Sequence, residues 1–80
     1  MTEEISGLSP LAQTFQPGLY KHFKGGTYEA LYIARHSEDP WKEFVVYKSL
    51  ATESMWIRLL EMFFEIIERD DYKGPRFMKL

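Results

Sequence analysis

The 80-residue chain has no cysteine. That absence excludes disulfide staples and any metal site built on thiolates. It fits a reducing, cytoplasmic setting, because small secreted domains usually carry such staples. No apolar run approaches the ~20 residues that a membrane-spanning helix needs, so no membrane partner is expected. The opening Met1-Thr2-Glu3-Glu4 is acidic and lacks the basic-then-apolar character of a signal peptide. Positive charge is not in excess: ten Lys and Arg against twelve Asp and Glu give a formal net charge of −2. A broad cationic surface for nonspecific DNA binding is therefore disfavoured. A local basic patch stays open, with Lys21, Lys24, Arg35, Arg58 and Arg76 as its candidates.

Large side chains are plentiful. A domain of this length buries only roughly 60–65% of the surface its unfolded chain exposes, so its core depends on bulk. Six Phe, five Tyr and two Trp supply it. The 45% hydrophobic content offsets chain entropy and argues against disorder. Trp56, Phe63, Tyr32, Val46 and Leu50 are the expected core, each contributing roughly 1.5–3 kcal/mol on burial. Trp41 follows a proline in a polar stretch and is a candidate contact residue.

Residues 1–16 read as an N-terminal extension and 17–80 as one small domain. Ser9-Pro10 is an N-cap followed by Pro at the first helical position. It predicts a short turn over Pro10–Thr14 that offers Leu11 and Phe15 to the body. Pro17-Gly18 ends it. Leu19–Lys24 and Tyr28–His36 alternate as strands, joined through Gly25-Gly26, a pair that supplies positive φ in a hairpin. In the second strand Tyr28, Ala30, Tyr32, Ala34 and His36 are assigned one face and Glu29, Leu31, Ile33 and Arg35 the other. Ser37–Pro40 reads as a polar loop. Phe44–Leu50 is a third strand, rich in β-branched and aromatic residues. Met55–Arg69 is open to two readings. Trp56, Leu60, Phe63 and Ile67 recur at helical spacing, giving an amphipathic helix of about four turns. A strand, a short helix near 59–65 and a strand-like exit suit the same residues. Asp70–Pro75 carries turn chemistry, and Arg76-Phe77-Met78 reads as a last short strand.

The run Gly18-Leu19-Tyr20-Lys21-His22-Phe23-Lys24-Gly25, followed by Tyr28 and Ala34-Arg35-His36-Ser37-Glu38, resembles a known pattern. So do Val45-Val46-Tyr47, Trp56-Ile57-Arg58, Glu61-Met62-Phe63 and Pro75-Arg76-Phe77. Together, over residues 18–77, they resemble the small bacterial family called domain of unknown function 1653. The resemblance implies a mainly β domain, placed here as a small, SH3-like, partly open β-barrel with a short helix near 59–65 and a short N-terminal helical turn. It implies no enzymatic activity. In that family proline usually follows the Trp-x-Arg element, where this chain has Leu59. Proline there would end the strand and start the helix.

The chemistry-bearing residues fall into three groups. His36 and Glu38 share one face of an extended chain, so the carboxylate is placed to orient the imidazole. Ser37 points the other way, so no contiguous triad results, and a hydrogen-bonded turn with Glu38 capping amides explains the cluster without catalysis. His22 and His36 lack metal-ligand spacing, and neither a metal nor a cofactor is expected. Gly25-Gly26 belongs to no phosphate-loop pattern. Arg58 and Arg76, each near an aromatic, suit an anion, a base or a carboxylate through forked hydrogen bonds and stacking. The competing expectation pairs Arg58 with Glu61 and Arg76 with Asp70 or Asp71.

These residues point first to a noncatalytic binding module. Its candidate ligand-binding residues are Tyr20, His22, Tyr28, His36, Glu38, Arg58 and Arg76, with Tyr47 as an addition. Its ligand would be a small polar molecule, a nucleotide or RNA segment, or a peptide. The alternatives are a small hydrolase or nucleotide-processing enzyme using His36 and Glu38, and a homodimer built on an unpaired barrel edge.

Overall fold

The computed structural model describes residues 7–69 and 71–80. Alternating side chains lay down three long antiparallel strands, β1 (Gly18–His22), β2 (Thr27–His36) and β3 (Asp39–Ser49). Strand β4 (Met55–Leu59) adds to β3, and β7 (Phe77–Lys79) adds to β1. The sheet therefore runs β4-β3-β2-β1-β7. Between β4 and β7 the chain makes the one-turn helix α2 (Leu60–Phe63) and a two-stranded sheet of β5 (Ile66–Arg69) and β6 (Tyr72–Pro75). The strand–helix–strand reading of Met55–Arg69 is the one realised; the four-turn helix is not.

The sheets are not closed into a barrel. β4 and β7 are opposite edges of the large sheet and do not pair with each other. Closure would need residues 60–75 to bridge those edges, and they fold into α2 and the separate β5–β6 pair instead. Within the stretch expected as a turn, Tyr72–Pro75 thus forms a strand. An open sheet needs something over its inner face, and α2 and the N-terminal helix α1 (Pro10–Gln13) supply it. Fully buried Phe63 stacks on Phe77 with ring centres 4.3 Å apart. Tyr20 and Tyr47 meet Phe63 edge-on at 5.2 and 5.9 Å, the arrangement favoured by ring quadrupoles. Ala12 and Phe15 of the N-terminal segment join this cluster. Ser9 caps α1 by accepting from the Ala12 amide, and its own amide donates to Glu43 at 2.9 Å. Leu11, expected to face the body, is exposed; Ala12 takes that place.

Two irregularities in the β2–β3 ladder set which side chains face inward. Ala30 pairs with Tyr47 but Tyr32 pairs with Val46, so Leu31 is an extra residue in β2. Such a bulge exchanges the two faces beyond it. Tyr28 and Ala30 face the core, then Ile33 and Arg35, while Tyr32 turns outward at 57% exposure. The second shift leaves Pro40-Trp41-Lys42 unmatched on the β3 side, between Asp39–His36 and Glu43–Arg35. The reach of β4 ends at Phe44, so the missing Pro40 N–H interrupts no pairing with that strand. The polar loop expected at 37–40 is reduced to Ser37-Glu38, and Trp41 projects into solvent.

Candidate functional site

β1, β2, β3, β4 and β7 bring five side chains to one end of the inner face. His22 pairs with Phe77, Tyr20 with Tyr28, Ala30 with Tyr47, and Val45 with Arg58. Directly paired residues share a face, so these pairings place His22, Tyr28, Tyr47, Arg58 and Phe77 together. Phe77 is the hub. Its ring centre lies 4.9 Å from His22, 5.7 Å from Tyr28 and 5.4 Å from Tyr47. The Arg58 guanidinium carbon stands 5.6 Å from that ring centre, within cation–π range. Arg58 Nε donates to the Tyr47 hydroxyl at 3.3 Å. Among the described residues Arg58 meets no carboxylate within salt-bridge distance. The expected pairing with Glu61 is absent, because Glu61 sits in the helix beyond β4 while Arg58 lies on the sheet.

Arg76 approaches from the strand β7 side and is already engaged. One guanidinium nitrogen contacts Glu65 at 2.7 Å, and its backbone amide donates to the Glu65 carbonyl at 2.8 Å. The partner is Glu65 rather than Asp71. Asp70, the other candidate partner, lies outside the described residues. The Nε of Arg76 is buried with no hydrogen-bond partner among the protein groups described. His22 feels this surplus of positive charge. Burial first, then Arg58, Arg76 and Lys24, hold its pKa below the ordinary value of 6.5. Its Nδ1 accepts from the Lys24 amide at 3.1 Å, leaving Nε2 as the nitrogen open to a ligand. A second cleft-forming group, Lys21, Phe23, Tyr72 and Met78, adjoins His22 from the other side.

A family profile described as protein of unknown function, DUF1653, matches residues 18–79 of this sequence. The chain belongs to the DUF1653 family. Its fold is similar to the crystal structure of a DUF1653 protein from Bordetella bronchiseptica, with 36% identity, a TM-score of 0.78, and coverage of 86% of this chain and 91% of that one. Among curated proteins, none matches.

In this DUF1653 chain three of the anticipated residues do not belong to the cluster. Tyr20 is buried core. Its hydroxyl donates to the Gln16 carbonyl at 2.6 Å, and burial raises its pKa, only partly offset by that bond. His36 and Glu38 lie at the far end of β2, eight residues or roughly 25 Å along the strand from Tyr28. Both are exposed. The Nδ1 of His36 accepts from the Glu38 amide at 3.1 Å, so the imidazole caps the turn, reversing the role expected of Glu38. The same geometry recurs at His22 and Lys24. Each histidine ends a strand and closes a hairpin. Residues under-read from the sequence are Phe77, which joins the site through its pairing with His22, and Trp56. Expected in the core, Trp56 is 53% exposed. It pairs with Tyr47 at the sheet edge, and its indole N–H donates to Ser54 at 2.9 Å.

Proposed function

We propose that this chain is a noncatalytic binding module that takes a small anionic ligand carrying a flat ring, the chemistry of a nucleotide. The observation that carries this reading is Arg58. It is a half-buried guanidinium with no carboxylate within salt-bridge distance among the described residues, laid over Phe77 and held by the Tyr47 hydroxyl. Its remaining donors suit a forked contact to phosphate or carboxylate. Arg76 and Lys24, the cations that together with Arg58 depress the neighbouring His22, add positive potential beside it. Trp56 and Tyr28 offer ring faces or edges on the same side of the sheet, and stacking on such rings tolerates different bases.

An enzyme built on this chain would use His36 and Glu38. That pair has no neighbouring nucleophile or base in its described hydrogen bonds, the one contact of the imidazole being Nδ1 accepting from the Glu38 amide. A reaction would need further groups that this turn does not bring together.

Titration with a nucleoside monophosphate, its nucleoside and inorganic phosphate, followed by amide and His22 ring NMR signals, tests the proposal. The monophosphate is expected to perturb His22, Tyr28, Arg58 and Phe77 more strongly than either fragment. Arg58→Gln should weaken binding about 10- to 100-fold, the loss of one or two charge-assisted hydrogen bonds. Silence at these residues with all three probes would defeat it.

A further inference from the structure

The outer face of the five-stranded sheet carries exposed apolar side chains around a few charges and is uncovered among the described residues. α1, α2 and the aromatic cluster lie on the opposite face. Leu19, Tyr32, Met55, Ile57 and Met78 are all exposed there. Across the middle of this face runs one registered row: Met55 on β4, Lys48 on β3, Glu29 on β2 and Leu19 on β1. The next row is Ile57, Val46 and Tyr32. Lys48 and Glu29 are direct cross-strand neighbours of opposite sign, yet they are not within salt-bridge distance.

We propose that this face binds a second copy of the chain, sheet against sheet, about a two-fold axis running along the strands between β2 and β3. The charge row selects that axis. Because Lys48 and Glu29 stand at the same height, the rotation sets Lys48 of each copy over Glu29 of the other, giving two equivalent ion pairs. It also sets Met55 against Leu19 and Val46 against Tyr32. An axis placed on β2 would set Glu29 against itself and Lys48 against Leu19, matching charge with like charge and with apolar surface. Sheets packed this way lie within about 30° of parallel. Four facing strands give a footprint of roughly 20 by 20 Å on each copy, about 800 Å² in total and below the standard size of specific interfaces, so weak association, in the range of tens of micromolar or weaker, is expected.

Sedimentation velocity on the full chain, from micromolar to near-millimolar concentration, tests this. The wild type is expected to pass from monomer to dimer. K48E alone and E29K alone should each raise the dissociation constant at least about tenfold, since each meets like charge twice. An equimolar mixture of K48E and E29K should regain dimers, because both interfacial contacts then join opposite charges. Tyr32→Lys, which leaves the charge row intact, should also remain monomeric. Amide dispersion verifies that each variant is folded. A wild type that stays monomeric throughout overturns the proposal. So does a mixture that sediments no faster than its components.

Discussion

At His22 the pKa carries information about its neighbours. Burial and the charges of Arg58, Arg76 and Lys24 all disfavour the imidazolium in the folded chain. In the unfolded chain the group titrates near 6.5. The unfolded state therefore binds more protons in the window below that pH, and stability falls as the medium acidifies from about 6.5 down through the depressed folded value. Above 6.5 the contribution is fully present. Replacing Arg58 by Gln removes one opposing charge, so the His22 pKa should rise toward 6.5 and the acid-side loss of stability should shrink. An NMR titration of the His22 ring in the two proteins measures this; identical midpoints would separate His22 from Arg58. Tyr20 behaves differently because its hydroxyl serves the fold. Tyr20→Phe should cost about 1 kcal/mol, the net worth of one hydrogen bond to a backbone carbonyl, and should leave ligand binding unchanged. The distinction between these two residues was not legible in the chain. Tyr20 and His22 alternate onto the same face, and what separates them is distance from α2, which a strand pattern does not encode.

At the scale of elements, Leu59 decides how β4 becomes α2. The Ser49 amide donates to the Ser54 carbonyl, which makes that a hydrogen-bonded pair. Antiparallel ladders alternate, so five positions on, Phe44 and Leu59 form a pair that exchanges no backbone bonds. The Leu59 N–H consequently points off the free edge of the sheet. Its φ of −52° lies within the range of a proline ring, and no side chain caps α2 at this position. Leu59→Pro is therefore expected to be tolerated and to stabilise by up to about 1 kcal/mol through the unfolded chain, less any lost packing of the leucine. Chemical denaturation reads this directly; a loss of several kcal/mol would mean the amide is bonded. Phe63→Ala, one turn later, should cost about 3–5 kcal/mol because it empties the centre of the aromatic cluster. The hairpins and the first helix turn were legible because their signals are local: Ser9-Pro10, Gly25-Gly26 and alternating apolar residues. The face of Tyr32 was not. A single unpaired residue, Leu31, inverts everything after it, and nothing in a period-two pattern that is apolar on both sides marks where the extra residue falls. Trp56 was misread for a related reason. Its helical spacing with Leu60 and Phe63 spans a strand–helix junction, so the periodicity crosses two elements and describes neither.

For the molecule as a whole, a net charge of −2 conceals a separation of charge. His22, Lys24, Arg58 and Arg76 gather at one end of the inner face, where Glu65 is the sole carboxylate in a salt bridge among the described residues. An anion bound there would lift the His22 pKa, because it favours the imidazolium that the surrounding cations oppose. By reciprocity, protonating His22 must tighten anion binding by the same free energy. Affinity for a nucleoside monophosphate should therefore increase as pH falls through the His22 pKa of the complex, levelling once the depressed His22 of the free protein is also protonated. Added salt should weaken it, since the site is partly open to solvent. Calorimetric titrations across that pH range measure the effect, with His22→Gln as the comparison. In that variant the pH dependence should be reduced to whatever the ligand's own second phosphate ionisation contributes. A slope unchanged by His22→Gln would place the bound anion away from the arginine cluster.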